Sequence, residues 1–152
     1  MLHKVDFSLE VWRWLYQPIY KRVVDFYLEF GDSLELAKLR MAILMVNDAT
    51  ITLLVKTKPD DLTQILAHCL FTIRTDDEKS YYAFAEQLKV DSGHDKDFVT
   101  ECFAYGETLP RVSKVALMCK ESKYKAYRKL YGFNVDQVLM SRDIKAKDDV
   151  LT

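Results

Sequence analysis

Apolar residues recur at helical spacing along most of the chain. Between Ser8 and Phe30 they fall at Trp12, Leu15, Ile19, Val23, Phe26 and Phe30, three or four apart, which gathers them on one side of a helix. Pro18 stands inside this run. It lacks a backbone donor and crowds the preceding turn, so the helix is predicted to kink or break there. Gly31 follows as a natural stop. Asp32 and Glu35 then form a capping-box pair ahead of Leu36, Leu39, Ile43 and Val46, which predicts a second helix.

The segment ATITLLVKT is β-branched, and a short strand at 50–57 is one reading of it. No second convincing strand presents itself as a partner, and a lone strand leaves its backbone groups unpaired, so helix is the preferred reading. Pro59 and Asp60 open a third helix carrying Leu62, Ile65, Leu66, Cys69, Leu70 and Ile73, the cleanest amphipathic pattern in the chain. Thr75 and Glu78 cap a helix to about Val90. A loop at Asp91–Asp97 precedes a short helix from Phe98 to Tyr105, stopped by Gly106. Pro110 starts another, to about Cys119. Ser122 caps Lys123–Tyr131, which Gly132 ends, and Asn134 and Gln137 cap a last helix with Val138, Leu139 and Ile144. Residues after Ala146 are expected to fray. The predicted fold is all-α: a compact bundle of six to seven helices.

Length and composition agree with one helical domain over 1–152. The chain has 152 residues, no internal repeat and no Pro/Gly/Ser-rich linker. Four glycines fall well below the usual share of about 7%, which argues against Gly-rich turns and phosphate loops. Cys69, Cys102 and Cys119 are too few and too scattered for a disulfide framework, which points to a reducing compartment. The opening MLHKVDFSLE has no signal-peptide pattern, and the apolar run Met41–Val46 is too short to span a bilayer. The expected location is cytoplasmic, with no membrane contact.

No motif carries chemistry. His68, Cys69, His94, Cys102 and Cys119 are the soft ligands, and none has the paired spacing of a zinc site. Cys69 lies on an apolar stripe and reads as core. There is no Gly-x-Ser-x-Gly elbow. Asp60–Asp61 and Asp76–Asp77–Glu78 fall at predicted helix starts, where the macrodipole favours negative charge. Asp91, Asp95 and Asp97 with Gly93 lack the spacing and the closing Glu of a calcium loop. The expectation is therefore no catalytic residue, no cofactor and no metal.

Two features suggest partners. Trp12, Trp14, Tyr16 and Tyr20 crowd one segment, more aromatics than one buried face holds, and such residues anchor protein interfaces. Charge is also uneven. Residues 1–110 carry 12 basic and 18 acidic residues, whereas 111–147 carry 10 basic and three acidic ones. Lys120, Lys123, Lys125, Arg128, Lys129, Arg142 and Lys145 are the candidates for contact with phosphate or an acidic partner. Tyr127–Tyr131, Gly132, Phe133 and the capped helix behind them follow a helix-turn-helix order, except at Arg128 and Ser141. The turn YGFNVDQVL and the Lys/Tyr-rich helix before it resemble the tails of small phage replication-accessory subunits, over the last quarter of the chain; no site is taken from that resemblance.

The expected function is a non-enzymatic adaptor or regulator, viral or phage-encoded, that binds a larger complex handling nucleic acid. Direct DNA binding through 123–145 is the second reading. A small enzyme with a site assembled from distant residues is the third.

Overall fold

The computed structural model describes residues 2–47, 51–76, 80–91, 93–138 and 140–144. It divides into two compact units, Met1–Met118 and Cys119–Thr152. The first contains, in chain order, β1 (Leu2–Lys4), α1 (Glu10–Trp14), α2 (Tyr16–Glu29), α3 (Leu34–Val46), β2 (Ile51–Lys58), β3 (Asp61–Thr75), β4 (Tyr81–Val90), α4 (Lys96–Glu107) and β5 (Val112–Leu117); the second contains α5 (Glu121–Tyr131).

The strands form one five-stranded sheet in the order β1-β2-β3-β4-β5. The first three pairings are antiparallel and β4–β5 is parallel, joined through α4 as a parallel pair requires. The protein is therefore α/β, and the all-α bundle expected from the sequence is wrong. The error centres on β3. It lies between two strands and is covered on both faces, so Ala67, His68, Cys69, Leu70 and Phe71 are all buried. Such a strand reads as an apolar run without period-two alternation. Its outlying Leu62, Ile65 and Ile73 complete a helical spacing by coincidence. Once β3 is a strand, β2 has its partner, and the strand alternative at 50–57 is the correct one. Pro59 and Asp60 are the hairpin turn between them, not a helix start.

The helical readings fare better on the N-terminal side. The first helix is broken, but at Leu15. Pro18 sits in the first turn of α2, where a missing donor costs little. Gly31, at φ 95°, and Asp32 close α2: their N–H groups donate to Leu28 and Tyr27. Ser33 caps α3 through the Leu36 N–H. The face of α3 differs from the one expected, however. Ala37, Met41 and Leu44 are buried, while Leu36, Leu39, Ile43 and Val46 are exposed, Val46 at 82%.

Side-chain alternation assigns the two layers. Leu53, Val55 and Leu70 join Trp12, Ile19, Val23, Ala37 and Met41 in a core between the sheet and α1–α3. Their strand neighbours Leu54, Cys69 and Phe71 face the other way, toward α4 with Phe98, Val99 and Cys102. Gly106 lies inside α4 rather than ending it. A Cβ there would stand 3.0 Å from a ring carbon of Phe71 and 3.1 Å from Val115. Gly106→Val is expected to destabilise the protein by about 1–3 kcal/mol through overpacking. Urea unfolding measures this, and an unchanged midpoint would show that α4 does not approach the sheet this closely.

Candidate active site at the open edge of β4

β4 is where the sheet changes from antiparallel to parallel. Pairing with β5 runs from Tyr81↔Val112 to Ala85↔Leu117 and ends there, because β5 ends. β4 continues from Glu86 to Val90, held on its other side by β3. Among the described residues no strand pairs with this stretch on the β5 side. Alternate residues of such an edge present N–H and C=O outward, ready for an extended partner. In α/β sheets this place, beyond the carboxyl ends of parallel strands where the topology switches, is where ligands sit.

A bulge marks the same point. Leu70 pairs with Gln87 and Phe71 with Ala85, so Glu86 is the extra residue. Its carboxylate is 17% exposed. One oxygen accepts from Arg74 Nη2 at 2.6 Å, and the other lies 3.5 Å from the Tyr27 hydroxyl. Burial, then the Glu86 charge, push the Tyr27 hydroxyl up to about 12, so it stays protonated. Arg74 also stacks 3.9 Å over the Phe84 ring, and Lys114 lies 5.4 Å over Tyr82. A carboxylate thus stands at the first position where β4 runs on without β5, on the α1–α3 side, held by a guanidinium and an aromatic wall.

Behind it is a closed polar network. Arg22 of α2 donates through Nε to His68 Nδ1 at 2.8 Å and pairs through both terminal nitrogens with Asp91. An imidazole that accepts at Nδ1 carries its proton on Nε2, so His68 donates to Gln87 Oε1 at 2.8 Å. Gln87 in turn donates to the Val23 carbonyl. Burial above all holds His68 neutral, with its pKa brought down to about 4. The network ties α2 to β3, β4 and the end of β4, and fixes the bulge from behind.

The turn after β4 leads into α4. Lys56, Ala67 and Val90 share one row across the sheet, and Lys56 forms an ion pair with Asp95 beneath this end. Asp95 caps α4: its carboxylate accepts the N–H group of Phe98. These hydrogen bonds, that of Lys56 foremost, hold its carboxyl below the usual range, and the Arg22 hydrogen bond does the same for Asp91.

The residues singled out from the sequence lie elsewhere. Trp12 is buried in the core, whereas Trp14 is 79% exposed. Tyr16 and Tyr20 are half-buried, with Tyr16 against Phe7 and Met45. Near them an apolar cavity of about 390 Å³ is lined by Phe7, Ile19, Met41 and Leu53, with Arg13 its charged residue. Lys120 is the N-cap of α5, and Lys123, Lys125, Arg128 and Lys129 are exposed on that helix, with Tyr124, Tyr127 and Tyr131 half-buried on its other side. Arg142 lies in a stretch without regular structure; Lys145 falls outside the described residues. The second helix of the helix-turn-helix reading is not there: residues 133–138 and 140–144 form no helix. His68 and Cys69 point to opposite faces of β3. Among the described residues no group of side chains could hold a metal ion, and no helix is long and apolar enough to cross a membrane. Glu86 and the open edge went unseen because 81–90 read as a helix. The signal was present in the alternation of large Tyr82 and Phe84 with small Ala83 and Ala85.

This mixed five-stranded sheet, with α1–α3 on one face and α4 on the other, is similar in fold to several solved structures of acetyltransferases. A Pyrococcus furiosus protein assigned to the acetyl transferases superposes with a TM-score of 0.65 at 15% identity, over 95% of this chain and all of the other. The glucosamine-6-phosphate N-acetyltransferase of Arabidopsis thaliana gives 0.58 at 17% identity, over 94% of this chain and 97% of its own. A predicted acetyltransferase of Clostridium acetobutylicum, solved with acetyl-CoA, gives 0.62 at 9% identity, over 93% and 95%. No protein-family model and no curated protein sequence matches the chain. These likenesses overturn the non-enzymatic helical adaptor expected from the sequence, and they give no support to a viral or phage accessory role. Of the three readings, the small enzyme with a site assembled from distant residues fits best.

Proposed function

We propose that the protein is an acyltransferase that moves an acyl group from a thioester to a primary amine. The observation that carries this is the unpaired edge of β4 from Glu86 to Val90, with a carboxylate at its first residue. An extended thioester arm bearing amides can hydrogen-bond along that edge as an added strand does. Its carbonyl carbon then lies near the bulge, where a released backbone N–H can stabilise the oxyanion of the tetrahedral intermediate. Glu86 attracts the acceptor's ammonium and takes one of its protons. The free amine forms the C–N bond, the C–S bond breaks, and the thiolate leaves with the proton that the nitrogen gives up on forming the amide. Glu86 returns its own proton to solvent.

Acetyl-CoA, named with one of the structural neighbours, is the first donor to consider. Its pantetheine arm matches the β4 edge. Its diphosphate does not match the start of α4, where Asp95 already takes one of the N–H groups an anion would use and Asp91 and Asp97 add negative charge. No step is assigned to the nucleotide end of that molecule.

The test supplies the full chain with acetyl-pantetheine and acetyl-CoA, each with aminosugar, polyamine and peptide amines, and follows thiol release. Amine-dependent release at least about a hundredfold above the enzyme-free rate is expected. Release no faster than without enzyme, for every pair, would sink the reading.

A further inference from the structure

We infer that the acyl donor is recognised through its amide-bearing arm alone, and that the diphosphate of coenzyme A finds no seat on this chain. The inference rests on the acyltransferase reading and names its donor class: thioesters of pantetheine type.

Three contacts close the anion seat. A helix start attracts an anion because its first N–H groups lack intrahelical partners. In α4, Asp95 turns one carboxylate oxygen to the Phe98 N–H at 3.0 Å. The helix start thus already holds its anion, supplied by the chain itself. Lys56, a cation at this end of the sheet, is spent on the same carboxylate. Arg22, a second cation near the end of β4, is locked to Asp91 through two hydrogen bonds of 3.0 and 2.7 Å and to His68 through a third, and Lys89 is paired with Glu29. Releasing either Lys56 or Arg22 to a phosphate would break an ion pair the chain already makes. A diphosphate here would face three carboxylates, Asp91, Asp95 and Asp97, against one exposed lysine, Lys96 at the first position of α4. The turn between β4 and α4 also lacks the run of glycines that lets backbone N–H groups wrap a phosphate; its sequence is Asp91-Ser92-Gly93-His94-Asp95. The β4 edge, by contrast, is built of backbone and makes no demand on charge.

The experiment compares the Michaelis constants of acetyl-pantetheine and acetyl-CoA on the full chain, with Asp95→Ser as the variant. Serine keeps the N-cap acceptor, so α4 remains capped, while the negative charge goes and Lys56 is freed. A thermal melt of the variant confirms that it folds, and Asp95→Asn serves as a second, equally capped replacement. The two donors are expected to agree within about threefold in the wild type. In Asp95→Ser the value for acetyl-CoA is expected to fall about tenfold while that for acetyl-pantetheine stays. A wild-type constant for acetyl-CoA tenfold or more below that for acetyl-pantetheine would overturn the inference and leave acyl transfer standing. An unchanged acetyl-CoA constant in both variants would overturn it as well, since Asp95 would not then be the closure. If neither donor releases thiol with any amine, the acyltransferase reading itself falls, and this inference with it.

Discussion

Between pH 6.5 and pH 4 the protein is expected to lose roughly 3 kcal/mol of stability through one side chain, His68. In the unfolded chain the imidazole takes a proton near 6.5. In the fold it resists until about 4, chiefly because it is buried, and also because Arg22 already donates to Nδ1. Its folded pKa is depressed, so throughout this window the unfolded state binds the extra proton. Stability is then complete above 6.5 and falls as pH drops, by up to about 1.4 kcal/mol per pH unit. Asp91 acts in the same direction but lower. Its carboxyl is held below 3.8, so its contribution disappears only in stronger acid. Urea unfolding at a series of pH values measures the slope. His68→Gln should be less stable at neutral pH, because it disturbs the Arg22 and Gln87 hydrogen bonds, but it should lose the steep part between 6.5 and 4. Equal slopes in wild type and variant would mean that His68 is not held neutral by the fold.

The largest effect on activity is expected from Glu86→Gln. Glutamine keeps the length and an oxygen for Arg74 but cannot take a proton from an ammonium. General-base catalysis contributes about 10²- to 10⁴-fold, so kcat should fall by that factor. The KM of the donor should change little, because backbone rather than Glu86 holds the arm. The fold should survive, since the ion pair lost is to an Arg74 side chain 44% exposed, and such pairs are worth about 0–1 kcal/mol. An unchanged kcat would remove Glu86 from the reaction.

What could be read from the sequence follows a physical division. The extent of several helices is legible in the sequence: α2 with Gly31, α3, though not the face it buries, and α5 with Gly132 in the left-handed region at φ 70°. Strands buried on both faces were not. β3 shows its neighbours apolar residues above and below, and nothing local separates that from a helix core. Its hairpin turn is Pro-Asp, which opens helices as readily as it joins strands. β5 was missed for a similar reason: Pro110 promised a helix, while Arg111, at a φ of 65°, turns the chain into a strand instead. Gly106 was read as a stop because glycine usually ends a helix. Here it lets a helix approach Phe71, a requirement set by a residue far away in sequence.

The site was hidden more deeply than the fold. Glu86 has no motif around it. Its position depends on a bulge that exists only through the pairing of β4 with β3, and on β5 ending at Leu117. Basic residues drew attention to α5 because charge is visible in one dimension, whereas an unpaired strand edge is a property of three. The acidic turn Asp91–Asp97 reads from the sequence as a loop without the spacing of a calcium site. Two of its carboxylates are tied to Arg22 and Lys56.

Amide hydrogen exchange along β4 tests the central claim most directly, that the free edge of this strand is the donor seat. On addition of saturating acetyl-pantetheine, the amides between Glu86 and Val90 that face away from β3 should exchange at least about tenfold more slowly. Those from Tyr81 to Ala85, already paired with β5, should not change. Protection confined to other segments, or none at all under conditions where the donor binds, would contradict it.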